Sequence, residues 1–380
     1  MSFYSNILYM KILFVTDLYP IGNESIAKAL SYFVQEWGKS GHSIDVIRSN
    51  FVFNTLIRGR KIKKEGLYIE NGIRVYNLNF QTPFFFDVYN KLPKDFSLKN
   101  YDVLISHMPC GALLSQRLLE KNKIRYVCSV HSADITVLTD IKYSLYFKNA
   151  LKKSYLIADK ISARSPILKE KIEKIIPAVK DKTFTAFSGI DEEYINEKIT
   201  PISEKFRIST AASLIKRKNI DVIIKGLSIF TSKDYSFTVM GDGQERKKLE
   251  KLSRKLKLSD KIKFTGQISR DEVLKNIECS DIFILLSNNE TFGLCYLEAM
   301  AKGNIVIAKN NDGISGIIKD SENGFLISPN PKELKKCLEK IAEMNKDEIQ
   351  QIKQKAVETA KKYSKQFASN EYLNNIKINV

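Results

Sequence analysis

The sequence predicts an α/β protein made of two doubly wound domains, each a parallel sheet flanked by helices. Three observations carry that reading. Short apolar and β-branched runs alternate with longer amphipathic stretches almost from end to end, the pattern of right-handed βαβ units. The alternation comes as two series, separated by a polar stretch that contains Pro201. A chain of 380 residues is also long enough for two independent cores.

In the first series, strands are expected at 11–16, 43–48, 73–78, 101–106, 125–130, 160–163 and 183–187. Each is a short apolar run bounded by polar or turn residues. Helical spacing of apolar residues lies between them at 24–39, 111–121 and 141–158. The second series places strands at 206–211, 237–240, 261–265, 281–286, 304–308 and 324–327. Its helices are expected at 220–230, from about 245, and at 294–302. From Pro331 the chain is lysine-rich and helical, and its final segment, 363–376, is amphipathic. The boundary between the series falls between Ser188 and Ser203. The expected domains are 1–190 and 191–363, with 364–380 a helix returning to the first domain. A cleft between two such domains is a natural ligand site.

Composition narrows the class. Hydrophobic residues make up 43% and charged residues 27%, ordinary for a soluble globular protein. No apolar run is long enough for a membrane-spanning helix. Residues 1–9 lack the basic start and apolar stretch of a signal peptide, and with Met10 directly before the first strand they read as an extension outside the fold. The five cysteines are odd in number and scattered. That argues for reduced thiols in a cytoplasmic protein, without a structural metal.

Net charge is +18, unevenly spread. Up to Ile190 there are 28 basic and 16 acidic residues, and after it 33 and 27. A dense cluster stands at Arg58, Arg60, Lys61, Lys63 and Lys64. Such a surface attracts anionic lipid or nucleic acid; a solvated loop accounts for the cluster equally well.

The residues that could carry chemistry stand at strand ends. Glu290 lies in the loop between strand 281–286 and helix 294–302, at the carboxyl end of a parallel strand, where ligands bind in open α/β sheets. Glu298 shares a helical face with Leu294 and Ala301 and needs partners there, since a bare buried carboxylate is costly. Sugar or ribose hydroxyls would serve; a helix-capping Glu290 and a solvated Glu298 are the plainer alternative. Gly241-Asp242-Gly243 follows a strand, and its glycines permit close backbone approach to a ligand or simply a tight turn. Lys216, Arg217 and Lys218 precede a helix, where charge and exposed N–H groups favour a phosphate. His107 and His131 sit at two successive strand ends and could donate to a sugar or phosphate oxygen, while His42 has a structural place before a strand. Three histidines without ligand spacing give no zinc site. The first loop, from Asp17 through Gly22 to Glu24, is not G-x-G-x-x-G, which counts against a nicotinamide or flavin dinucleotide. Neither a phosphate-binding NTPase loop nor a G-x-S-x-G elbow is present.

Taken in order, these segments resemble the retaining glycosyltransferases of the GT-B fold, family 4, also called group 1. The resemblance covers nearly the whole chain from Met10. Glu290-Thr291-Phe292-Gly293 through Glu298 looks like the family's paired-glutamate signature, and Gly241-Asp242-Gly243 like its glycine loop. Phe264 to Ile268 resembles the strand and turn that contact the base. Gly313 to Gly316, followed by Asn323-Gly324, matches the usual ending, and Ser188 to Asp191 the interdomain signature. Gly41-His42 and His131-Ser-Ala-Asp134 resemble first-domain segments.

The resemblance implies roles. Glu298 would accept the donor's ribose hydroxyls. Glu290 would contact the transferred sugar, with the N–H groups of Phe292 to Leu294 holding its hydroxyls and the pyrophosphate. Gln267 and Ile268 would meet the base. Lys218 would neutralise the leaving diphosphate, and His131 would meet the sugar from the other side of the cleft. Glu290, Lys218 and His131 are thus the expected catalytic residues. Gly22, Ser213, Arg217, Gly241, Asp242, Gly243, Thr291, Phe292, Gly293 and Leu294 join the donor site. No metal or cofactor is implied; the donor is expected to be a UDP-sugar.

Two departures stand out. Ala212-Ser213 replaces the family's Gly-Arg, so that Lys216 or Arg217 would substitute for the arginine, and the glycine usually found soon after Gly22 is missing. The expected activity is hexose transfer to a glycan or lipid-linked acceptor for cell-surface polysaccharide. Its expected place is the cytoplasm, peripheral to anionic lipid on the inner membrane face. A nucleotide-sugar epimerase on the same architecture and a basic nucleic-acid-binding protein are the alternatives. Against the latter, the basic cluster lacks interleaved aromatics.

Overall fold

The computed structural model describes residues 9–22, 24, 28–52, 62–81, 85–196 and 198–377. The chain divides into two compact units, Met1–Phe187 with Ala368–Val380, and Ser188–Phe367.

The first unit holds an eight-stranded sheet in the order β3-β4-β2-β1-β5-β6-β7-β8. Its strands are β1 (Lys11–Thr16), β2 (Ser43–Phe51), β3 (Gly66–Glu70), β4 (Ile73–Phe80), β5 (Val103–His107), β6 (Arg125–Val130), β7 (Lys160–Ala163) and β8 (Thr183–Thr185). All pairings are parallel except β3 with β4. The β3–β4 hairpin was not expected. Its turn is Asn71-Gly72, with φ of 52° and 80°, the left-handed pair that a two-residue hairpin turn requires. Leu67 and Ile69 point to solvent, so β3 lacks the polar-out alternation by which a strand is recognised.

β2 also runs beyond its expected end at Arg48. The polar residues there are buried because they are paired. Arg48 Nη1 lies 2.6 Å from Glu24 Oε2, and Asn50 Nδ2 donates to Asn77 Oδ1 at 2.8 Å and Asn79 Oδ1 at 3.0 Å. The helix expected at 24–39 is described as Lys28–Lys39; residues 25–27 lie outside the described residues, as do Arg58, Arg60 and Lys61 of the basic cluster.

One face of this sheet is sealed by the final helix, Lys365–Ile376. Tyr372 packs against Phe33 and Trp37, with ring centroids at 5.3 and 5.1 Å, and Trp37 Nε1 donates to Ser369 O at 3.1 Å. Its hydroxyl reaches under the sheet to Ser162 Oγ at 2.8 Å and Ser129 Oγ at 3.1 Å.

The second unit holds a six-stranded, wholly parallel sheet in the order β11-β10-β9-β12-β13-β14. Its strands are β9 (Phe206–Ala211), β10 (Tyr235–Met240), β11 (Ile262–Gly266), β12 (Ile282–Leu285), β13 (Ile305–Lys309) and β14 (Phe325–Ile327). The chain steps outward from β9 to β11, then returns to lay β12 against β9 and steps the other way. The strand order therefore reverses between β9 and β12. β1, β6, β7 and β9 coincide with the expected strands, and the other expected strands agree to within a few residues.

Because Tyr372 combines aromatic packing with a buried hydroxyl, Tyr372→Ala is expected to destabilise the first unit by about 3–5 kcal/mol, the scale of deleting a buried aromatic. Chemical denaturation followed by tryptophan emission checks this, and an unchanged midpoint would refute it.

Candidate functional site

In an open parallel sheet, the loops leaving the carboxyl ends of the strands beside the reversal point enclose a crevice. Here those are the loop after β9, residues 212–219, and the loop after β12, residues 286–293. They are tied together by their backbones: Asn288 N donates to Arg217 O at 2.7 Å, and Asn219 Nδ2 to Leu286 O at 2.6 Å.

The charged side chains meet at the same place. Lys218 Nζ forms an ion pair with Glu290 Oε1, and both side chains are largely buried. Arg217 Nη1 lies 3.2 Å from the same oxygen and 3.2 Å from Asn288 O, and Ser287 Oγ donates to Glu290 Oε1 at 2.6 Å. Burial pushes the Glu290 carboxyl up, but the charge and hydrogen bond of Lys218, then Ser287 and Arg217, outweigh it. The group is held below the ordinary glutamate range. Lys216 turns away, 3.4 Å from Asp221. Arg217, not Lys216, is therefore the cation that joins Lys218, while Ser213 is exposed and holds Ile215 N through its carbonyl at 2.9 Å.

Glu290 does not cap the helix. That helix is Leu294–Ala301, its N-cap is Gly293 at φ 88°, and no side chain caps its start. The positive φ favours glycine, and a Cβ there would stand 2.5 Å from the Tyr296 ring. The first N–H groups of the helix thus face the loop that carries Glu290, where an anion would be favoured. Thr291 is half-buried and Phe292 buried beneath this turn.

Asp312, in the loop after β13, grips the Glu290 loop by its backbone. Its Oδ1 accepts from Glu290 N at 2.6 Å and its Oδ2 from Asn289 N at 2.8 Å. Its charge is met by Lys309 at 3.0 Å. The sequence reading passed over both Asp312 and Ser287. For Asp312 the only local signal is the Asp-Gly turn at 312–313, because its contact spans twenty-two residues, whereas Ser287 stands three residues from Glu290 in the same loop.

Glu298 is 2% exposed. Its expected hydroxyl donors are replaced in this structure by a guanidinium: Arg270, at the start of the helix Arg270–Glu278 after β11, pairs with Oε1. Glu298 Oε2 is buried and has no hydrogen-bond partner among the described residues. Arg270 itself stands over the Tyr194 ring at 5.9 Å. Gln267 is exposed and Ile268 half-buried in the turn that leads to it.

Gly241 and Gly243 have a reason other than ligand approach. A Cβ on Gly241 would stand 2.1 Å from Ala212 O, and one on Gly243 2.5 Å from Leu214 O. The glycines let the β10 loop press against the β9 loop, which in turn presents Arg217 and Lys218. Asp242 is engaged with Arg246 at 2.8 Å, which holds its carboxyl below the usual range.

His131 and Gly22 belong to the first unit. His131 follows β6 and is buried, its Nε2 3.0 Å from Nδ1 of His107, whose Nε2 is 2.9 Å from Ser129 Oγ. Burial, followed by the charge of Arg164, lowers the His131 pKa to about 3. It is therefore a neutral imidazole at physiological pH. The Gly22 N–H is taken by Glu70 Oε1 of the unexpected hairpin, at 2.9 Å.

Two mostly parallel-sheet units with charged loops at a strand-order reversal fit the GT-B fold of glycosyltransferases. The fold matches that of Anabaena HepE, solved in complex with UDP, over 97% of this chain and 99% of that one, with TM-score 0.76 and 17% identity. It also matches the lipopolysaccharide outer core galactosyltransferase WaaB over 97% and 99%, with TM-score 0.72 and 18% identity. In sequence, residues 26–194 match Glycosyltransferase Family 4 and residues 191–363 match Glycosyl transferases group 1. An uncharacterized glycosyltransferase of Methanocaldococcus jannaschii is 30% identical over 261 residues, 68% of this chain and 67% of the relative. N-acetyl-alpha-D-glucosaminyl L-malate synthase of Bacillus anthracis is 27% identical over 307 residues, 77% of each. The chain belongs to the group 1 glycosyltransferases of family 4, and it is a transferase acting on a nucleotide sugar.

The lowered Glu290 pKa has a signed consequence. Its ionised form contributes stability above the unfolded-chain value of about 4.3, and that contribution is lost as pH falls through the lower folded value. Glu290→Gln should therefore show a shallower loss of unfolding free energy than the native chain between about pH 5 and 3. Denaturant titrations across that range measure it, and parallel slopes would contradict the assignment.

Proposed function

We propose that this glycosyltransferase moves a hexose from a UDP-sugar, with retention of anomeric configuration, to a glycan or lipid-linked saccharide in cell-surface polysaccharide synthesis. The observation that carries the donor half is the charged knot at the β9–β12 reversal. Without donor, Glu290 and the two cations Lys218 and Arg217 neutralise one another. A diphosphate entering beside the uncapped helix start supplies those cations with a new anionic partner, and Glu290 is released to the hydroxyls of the transferred sugar. The complex of HepE with UDP favours the uridine nucleotide.

In this reading Glu298 receives the ribose hydroxyls, which complete the hydrogen bonding of its buried Oε2, and Gln267 and Ile268 lie against the base. Lys218 stabilises the negative charge that grows on the diphosphate as the glycosidic bond breaks, a preorganised electrostatic contribution to the leaving group. His131 meets the sugar as a neutral imidazole, so it acts by hydrogen bonding and not by charge. The acceptor is assigned more coarsely. The N-acetylglucosaminyl transfer named for the Bacillus relative and the glycolipid named for the alpha-monoglucosyldiacylglycerol synthase of Acholeplasma laidlawii, 27% identical over 249 residues, support a hydroxyl acceptor. An excess of 61 basic over 43 acidic residues suits work at the inner membrane face.

Lys218→Ala and Glu298→Ala are each expected to lower turnover by roughly 10²–10³, the scale of losing one preorganised contact. Near-native turnover in both would remove these residues from the site. In a thermal-shift panel of UDP-, GDP- and ADP-sugars, the UDP series should raise the melting temperature by mass action. A response confined to the GDP or ADP series would overturn the uridine assignment.

A further inference from the structure

Most of a folded chain's large apolar side chains are buried, and those left exposed are usually scattered. Here they cluster. Within residues 141–157 the exposed set comprises Ile141, at 93% exposure, Tyr143, Leu145, Tyr146, Leu156 and Ile157. The helix Leu145–Ile157 explains the pattern. It buries Leu151, Ser154 and Tyr155, with Ser154 Oγ donating to Ala112 O at 3.2 Å and the Tyr155 hydroxyl to Asp134 Oδ1 at 2.8 Å, and the four- and three-residue spacing then sets Leu145, Asn149, Lys152 and Leu156 on the outward face. The same 17-residue stretch contains four lysines and no acidic residue. Lys142, Lys152 and Lys153 are exposed among the apolar tips.

We propose that this face docks on an anionic membrane, with Leu145 and Leu156 at the headgroup–acyl boundary and the lysines on lipid phosphates. Apolar tips, interfacial tyrosines and long cationic side chains on one helix face are the physical requirements of a helix lying in the membrane interface. A second copy of the chain fits poorly. In a two-fold contact the same patch would meet itself, so Lys152 and Lys153 would face their own equivalents, and lysine is depleted from protein interface cores. Attachment would be peripheral, since no helix among the described residues is long and apolar enough to cross a membrane. The stretch 141–157 is separate in sequence from the Arg58–Lys64 cluster; it rests on the membrane location proposed above and sharpens it without depending on the transfer chemistry.

The chain has one tryptophan, Trp37, and it is buried. A Tyr146→Trp variant therefore adds a reporter on this face alone. With vesicles of mixed phosphatidylglycerol and phosphatidylcholine, its emission should shift to the blue, and the shift should be absent with phosphatidylcholine alone. Lys152→Gln with Lys153→Gln should weaken vesicle partition by roughly 25-fold, about fivefold for each charge removed. Leu145→Ser with Leu156→Ser should weaken it further, with unchanged circular dichroism for both pairs. Native binding to anionic vesicles with a silent Trp reporter would place docking elsewhere and overturn this surface. No binding to anionic vesicles would overturn both the surface and the membrane location. A concentration-dependent dimer that the Leu145→Ser, Leu156→Ser pair dissolves, without vesicle binding, would assign the face to a second copy.

Discussion

The ion pair between Lys218 and Glu290 is the contact on which the second unit's loop architecture turns. A carboxylate at the end of one strand and two cations at the end of its neighbour can be held half-buried only if each satisfies the other. That requirement fixes where the β9 and β12 loops lie. It also accounts for features that look unrelated: the backbone bonds between the two loops, the Ser287 hydroxyl on the carboxylate, and the glycines of the β10 loop that make room for its neighbour. Asp312 adds a second constraint from β13 by holding the Glu290 backbone in place. The result is a loop cluster preorganised by charge, in which the proposed function has the phosphates of a donor take the place of the internal anion.

Glu298 shows the complementary logic. A carboxylate buried on an apolar helix face is stable only with compensation, and the chain supplies half of it through Arg270. The remaining oxygen is buried and has no partner among the described residues. An enzyme that binds a hydroxyl-bearing ligand gains from such an arrangement, because ligand binding then satisfies a group that folding left incomplete. In the first unit the polar chain from His131 through His107 and Ser129 to Tyr372 works differently. It is fully internal, and its effect is to hold a neutral imidazole at a strand end.

Local signals in the sequence were sufficient where the determining forces are local. The strands at 160–163 and 206–211, the helix start after Gly293 and the glycine loop all follow from apolar runs, turn residues and capping within a few positions. Where the partner is remote, reading stopped short. β2 was cut at Arg48 because nothing nearby announces Glu24, Asn77 or Asn79 as partners for its polar end. β3 escaped because its apolar residues face outward, even though Asn71-Gly72 was there to be read as a hairpin turn.

The sequence by itself determined the two α/β units, the strand ends at which the candidate residues stand and the family, because hydrophobic periodicity and short motifs are properties of neighbouring residues. Only the tertiary structure decided that Arg217 and not Lys216 joins Lys218, that Asp312 and Ser287 hold Glu290, and that Arg270 occupies one oxygen of Glu298. All of these contacts except that of Ser287 join residues carried by different strands. Which charge meets which follows from the order in which those strands are laid side by side.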